Sequence, residues 1–189
     1  MFGRRHGRRE LLEGGAVRVL GIDPGLTRCG VAVVEGVPGR VTSALHIGVI
    51  RSSPDQPVDQ RLVHLEAELE ALLVAHNPDA VAIERVFSQH NVRSAMATAQ
   101  AAAMGLLVAG RRGLPVGLHT PTEVKAAVTG SGRADKAQVA LMVTRLLGLR
   151  EAPRPADAAD AVAIAICHIW RGTAIARQQA ALAALAGRA

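Results

Sequence analysis

The sequence predicts an α/β fold built on a mixed sheet, and three observations carry that prediction. First, an apolar, β-branched run from Val17 to Asp23 meets a Pro24-Gly25 turn, and a second apolar run returns from Cys29 to Glu35. Second, the short apolar run Ala80–Glu84 follows a long helical pattern, as in a parallel pairing reached by a crossover helix. Third, helical and extended patterns alternate through the remainder of the chain.

The elements follow in order. A third strand is expected from about Val41 to Arg51, after the Val37-Pro38-Gly39 turn. Leu62, Leu65, Leu69, Leu72 and Leu73 then recur at three- and four-residue spacing, which predicts a helix from Val58 to His76. Glu66 and Glu70 fall on its polar face and read as solvated charges, and Asn77-Pro78 stops it. Beyond the Glu84 strand, Asn91 to Gly110 is an Ala/Met/Leu helix, and Leu114 to Leu118 a short strand. Thr120-Pro121-Thr122-Glu123 carries a cap and a proline at the first helical position, opening a short helix through Val128. Ala134 to Leu147 is helical, with Val139, Met142, Val143 and Leu146 inward, and Asp157 to Trp170 is the last well-patterned helix.

At 189 residues with 49% apolar content the chain reads as one globular domain. We place that domain at residues 17–172, preceded by a basic extension at 1–16, expected to be disordered, and followed by an Ala/Arg-rich tail at 173–189. Lys and Arg number 22 against 16 acids, a balance of +6 that favours a polyanionic partner, nucleic acid first. Cys29 and Cys167 sit in apolar contexts without metal spacing, as reduced core residues of a cytoplasmic protein do. The Arg-rich start lacks an apolar core and is not a secretory signal, and the uncharged stretch near Ser94–Gly110 is short for a bilayer.

Most of the acids lie in loops or on outer helix faces. Asp23, Glu84, Asp157 and Asp160 each border an apolar element instead. Taken singly they have ordinary readings: an Asx turn for Asp23, a buried ion pair with Arg85 for Glu84, N-terminal capping for Asp157 and Asp160. Taken together they do not. A mixed sheet that sets the Asp23 and Glu84 strands side by side, with the last helix against it, gathers four carboxylates. Unit charges about 4 Å apart repel by roughly 4 kcal/mol at an effective dielectric of about 20. Such a cluster must take up protons, recruit arginines or bind cations. All-oxygen donors select hard divalent ions, Mg²⁺ or Mn²⁺, and two such ions can clamp the attacking and leaving oxygens of a phosphodiester. With a basic surface around it, the pattern implies a metal-dependent nuclease.

Four motifs, in this order, resemble the RuvC family of Holliday-junction resolvases (crossover-junction endodeoxyribonucleases). They are Gly21-Ile22-Asp23-Pro24-Gly25, Ala82-Ile83-Glu84-Arg85-Val86-Phe87 with Asn91, Gly130-Ser131-Gly132-Arg133-Ala134-Asp135-Lys136, and Asp157-Ala158-Ala159-Asp160-Ala161. The match spans about Val17 to Trp170. The resemblance implies an RNase H-like fold, a five-stranded mixed sheet flanked by helices on both faces. It implies that Asp23, Glu84, Asp157 and Asp160 are catalytic metal ligands, with two Mg²⁺ per subunit and Mn²⁺ able to substitute. Phe87 corresponds to the aromatic that contacts bases at the junction centre, and Lys125 and Lys136 to lysines near the scissile phosphate. Where the family usually has Gly-Gln-Ala-Arg-Gly, this chain reads Ala99-Gln100-Ala101-Ala102-Ala103, so no role is carried over for that arginine.

The same resemblance implies an enzyme of DNA recombination and repair that makes paired nicks with 5′-phosphate and 3′-hydroxyl ends in four-way junction DNA. It implies a homodimer working with the RuvA–RuvB branch-migration complex. The Asn91–Gly110 helix is open to two readings, a dimer surface or a helix buried within one subunit. Two rivals share features of this pattern: another RNase H-like nuclease acting on other DNA or RNA, and a non-catalytic junction binder. An actin-like ATPase or sugar kinase would need a second glycine-rich phosphate loop, which is absent.

Overall fold

A computed structural model describes residues 15–85 and 92–186, and its strands form one sheet in the order β3-β2-β1-β4-β5. The strands are β1 (Val17–Asp23), β2 (Arg28–Val37), β3 (Arg40–Arg51), β4 (Ala80–Glu84) and β5 (Val116–His119). The helices are α1 (Val58–His76), α2 (Val92–Arg111), α3 (Pro121–Thr129), α4 (Lys136–Leu146) and α5 (Ala156–Ala186). β1 pairs antiparallel with β2 and parallel with β4, so the sheet is mixed and α1 is the crossover between β1's side of the sheet and β4. β2 also pairs antiparallel with β3, and β4 pairs parallel with β5.

The period-2 alternation of the central strands divides the core into two layers. Leu20, Ile22, Val31, Val33, Val81 and Ile83 face α1 and α2. Val19, Ala32, Val34, Ala80 and Ala82 face α3, α4 and α5. The sheet is thus covered on both faces, as its near-continuous apolar strands require. α5 is the central element of its layer: Ala158, Ala161, Val162, Ala163, Ala165 and Ile166 are buried to 3% exposure or less.

Small residues let α5 lie directly on the strands. A Cβ placed on Gly21 would stand 2.3 Å from the Ala161 carbonyl oxygen, and one on Gly30 only 2.0 Å from that of Asp157. Any side chain at either position would lift the helix from the sheet. α2 uses the same device on the opposite face, where Gly105 sits against the tips of Ile22 and Ile83.

Local signals account for the shorter helices. Thr120 and Glu123 form a reciprocal capping box at the start of α3, and Asp135 and Gln138 form another at the start of α4. The second box moves the start of α4 from the expected Ala134 to Lys136. Glu66 and Glu70 are not simply solvated: they pair with Arg111 and Arg112, tying α1 to the end of α2. The buried stripe of α1 is Arg61, Leu65, Leu69 and Leu73, so an arginine takes the place expected for Leu62. α5 runs on to Ala186 rather than ending near Trp170. In α2, Ala101, Val108 and Ala109 are fully buried within the subunit, while Met96, Leu106 and Leu107 are exposed.

Candidate active site

Asp23, the last residue of β1, stands at the end of the sheet where β1 and β4 finish side by side. The parallel register sets Ile22 against Ile83, so Asp23 and Glu84 are the next residues along two adjacent strands. On the far side of β1, Asp23 pairs with Gly30 of β2. There the Gly30 Cβ position lies 2.0 Å from the Asp157 carbonyl oxygen and 3.2 Å from the Asp23 Cβ. The missing side chain of Gly30 therefore sets the first turn of α5 beside Asp23. Asp160, three residues on from Asp157, shares that helix's inner end.

The electrostatics report the convergence. Burial, and then the charges of Glu84, Asp160 and Asp157, push the Asp23 carboxyl up from 3.8 to about 7. Burial and the Asp160 charge also raise Glu84, against the opposing pull of Lys136 and Lys125. So Glu84, Asp157 and Asp160, drawn from β4 and α5, stand close enough to Asp23 at the end of β1 for their charges to act on it. The Lys136 ammonium lies 3.0 Å from Asp160, and the Arg28 guanidinium 3.3 Å from Asp157. Among the described residues no three His, Cys, Asp or Glu side chains close into a ready metal cage. Two of the acids are turned toward basic partners instead. The donor set nonetheless fits a hard divalent ion: its oxygens are all carboxylate, and their mutual repulsion is what such a charge relieves.

Lys125, on α3, is close enough to lower Glu84, and Lys136 opens α4 beside Asp160. The Glu84–Arg85 ion pair, the ordinary alternative for Glu84 taken singly, is absent among the described ion pairs; the Arg85 backbone N–H donates to the His119 carbonyl. Phe87 and Asn91 lie outside the described residues, as do residues 1–14.

Three features went unread in the sequence. Arg28 is one. The second is a clamp on the loop that follows Asp23: buried Arg61 donates to the Ser52 hydroxyl (2.9 Å) and the Thr27 hydroxyl (2.8 Å). Ser52 in turn donates to the Leu26 carbonyl at 2.6 Å. Its signal was available, because Arg61 stands four residues before Leu65 on the apolar stripe. The third is a ring pair, His119 and His168, 3.0 Å apart between β5 and α5. His119 is the register partner of Glu84. Burial pushes both imidazoles down, His168 to about 4, so the pair is neutral packing next to the site. A Cβ on Gly117 would collide with His168, so this contact too depends on a glycine.

With this geometry in place, comparison with known proteins decides the family. A sequence model described as crossover junction endodeoxyribonuclease RuvC matches residues 19–168. The chain belongs to the RuvC family. A RuvC of Salinispora arenicola is 62% identical over 173 residues, covering 92% of this chain and 97% of that relative. One from Streptomyces griseus is 64% identical over 168 residues, covering 89% of this chain and 82% of the relative. Among solved structures, Thermus thermophilus RuvC in complex with Holliday junction substrate matches with a TM-score of 0.78 and 39% identity. That match covers 83% of this chain and 95% of the other. A yeast mitochondrial Holliday junction resolvase, Ydc2, shares the fold with a TM-score of 0.57 at 18% identity, over 83% of this chain and 81% of that one. The sheet order and its two helical layers are therefore those of an RNase H-like RuvC fold. The matched span contains Asp23, Glu84, Asp157 and Asp160.

Proposed function

We propose that this protein resolves Holliday junctions, cutting two strands of four-way junction DNA by metal-dependent phosphodiester hydrolysis to leave 5′-phosphate and 3′-hydroxyl ends. The observation that carries the chemistry is the meeting of Asp23, Glu84, Asp157 and Asp160 at one end of the sheet, with Asp23 raised to about 7 by burial and by the other three. These four residues are assigned as the ligands for two Mg²⁺ ions per subunit, with Mn²⁺ as a substitute. Bound there, the metal supplies Lewis acidity for generating hydroxide and for stabilising the leaving 3′ oxygen.

The chain's own residues do the rest. β1, β4 and α5 hold the carboxylates on rigid elements, so no loop need close to assemble them. Lys136 sits on the exposed rim beside Asp160 and offers its ammonium to an entering phosphate. Lys125, half-buried on α3, acts from the Glu84 side. Phe87 is assigned to stack on a base at the junction centre.

Two matched cuts call for two sites, and we assign the working unit as a C₂ homodimer that cooperates with the RuvA–RuvB complex in the cytoplasm. Exposed Met96, Leu106 and Leu107 on α2 support a subunit contact there. Among the described residues no helix is long and apolar enough to cross a membrane.

The test is a cleavage assay on four-way junction, linear duplex and RNA–DNA hybrid, with and without Mg²⁺ or Mn²⁺. Metal-dependent paired nicking of the junction alone is the expected result. Preferential cutting of hybrid or duplex would make this a different RNase H-like nuclease. Tight junction binding without cutting in either metal would make it a binding protein.

A further inference from the structure

The acids that organise the site create a difficulty for its substrate, because a cluster of carboxylates repels the phosphate it must admit. The cations that offset this should lie on its rim, and the sequence pointed to Lys125 and Lys136 alone. Both stand on the α3–α4 side. The opposite side is bounded by β2 and β3, and there the structure places two arginines together.

Arg28 begins β2 and Arg51 ends β3, and the antiparallel register sets them directly opposite each other. Directly opposed residues project from the same face of a sheet. Their neighbours Cys29 and Ile50 are buried against α1 and α2, so Arg28 and Arg51 point to the face that carries α5 and its acids. Both are exposed. Like charges opposed across strands destabilise a sheet, so this pairing does not serve the fold.

Arg28 is the more telling of the two. Its side chain is 56% exposed and its Nε lies 3.3 Å from an Asp157 carboxylate oxygen. No other ion pair or hydrogen bond of that side chain occurs among the described residues. Arg51 has no acidic partner among the described ion pairs; its carbonyl accepts from His64 at 3.2 Å. The backbone beneath Arg28 is fixed by the Arg61–Ser52–Thr27 clamp, so this guanidinium is carried on a held loop. A guanidinium that is charged, exposed and carried on a held loop suits the bidentate recognition of a phosphodiester.

We propose that Arg28 and Arg51 form a phosphate-binding pair that receives the DNA backbone on the β2–β3 side of the acids, opposite Lys136. The inference rests on the junction-cutting reading and adds to it the path of the substrate strand. A strand crossing the site would be met by Lys136 beside Asp160 and by the arginine pair beside Asp157.

The test is the salt dependence of junction binding by the full-length chain, measured by fluorescence anisotropy in EDTA between 50 and 400 mM KCl. Each neutralised phosphate contributes about −0.9 to the slope of log affinity on log salt. Arg28→Gln and Arg51→Gln should each flatten the slope by about one, and the double variant by about two. The Arg28→Lys/Arg51→Lys double variant, which keeps both charges, should keep the slope. Thermal unfolding checks the fold: Arg51→Gln should melt no lower than the parent, and Arg28→Gln, which gives up a partly exposed ion pair with Asp157, should still unfold in one cooperative transition. A slope in the double Gln variant equal to that of the parent would overturn the proposal and leave the pair as charges guarding the β3 edge. A slope lost only in Arg28→Gln would overturn the pair as a unit. Wild-type cleavage of the junction in Mg²⁺, run alongside, separates the two claims: cleavage with unmoved slopes sinks the arginine pair alone, whereas no cleavage sinks the resolvase reading whatever the slopes do.

Discussion

Replacing Asp23 with Asn should stabilise the protein in EDTA while abolishing cleavage, and the size of the effect should depend on pH. In the native state the Asp23 carboxyl titrates near 7 rather than 3.8. An acid raised on folding keeps its proton in the native state where the unfolded chain has lost it. Stability therefore falls as pH rises from about 4 to about 7, and is level above that. Moving this carboxyl from 3.8 to about 7 corresponds to about 4 kcal/mol at roughly 1.36 kcal/mol per tenfold change in proton affinity. Glu84 is raised as well and contributes with the same sign. His168, pushed down to about 4, works the opposite way between about 4 and 6.5. The variant must therefore be compared with the parent at each pH, so that the histidine contributions cancel. Guanidinium denaturation from pH 4 to 8 should show Asp23→Asn gaining on the parent steadily, by up to about 4 kcal/mol, with an unchanged m-value. Saturating Mg²⁺ should restore the parent's standing by mass action, because only the parent binds it fully. A difference that stays flat across this pH range would mean Asp23 is not held among other carboxylates.

Two further substitutions test how the site is positioned. Gly30→Ala puts a methyl group 2.0 Å from the Asp157 carbonyl oxygen, so the first turn of α5 must retreat by about 1 Å or more to reach ordinary contact. It should cost about 1–3 kcal/mol of stability and on the order of 100-fold in single-turnover cleavage; parental activity would show that α5 need not sit so close. Thr27→Val removes the hydroxyl that accepts from buried Arg61, and should cost about 1–2 kcal/mol by urea unfolding. An unchanged midpoint would mean the Arg61 clamp is not a stabilising contact.

The sequence carried the fold well because its signals were periodic. Strand alternation, the Leu65–Leu69–Leu73 repeat and the caps at Thr120 and Asp135 each act over a few residues, so each can be read locally. Asp23 and Glu84 were legible for a similar reason, as acids ending apolar strands. What escaped was whatever depends on register between distant segments. Arg28 looks like an ordinary loop cation until β2 is aligned with β3 and α5 comes down on Gly30. Glu66 and Glu70 look solvated until the end of α2 arrives beside them. Arg61 was missed for another reason: a charged residue on an apolar stripe was passed over for the leucine next to it. The run from Thr173 onward lacks a clear apolar face, and its helix is the continuation of a buried one.

The central claim, that carboxylates from three separate elements share one divalent-ion site, is tested most directly by titrating Mn²⁺ into the protein and into Asp23→Asn, Glu84→Gln and Asp160→Asn, using isothermal calorimetry without DNA. The account predicts that each single substitution weakens Mn²⁺ binding by about tenfold or more, the order lost with one ligand's support. Undiminished binding in any one of the three would remove that residue from the site, and undiminished binding in all three would contradict the account.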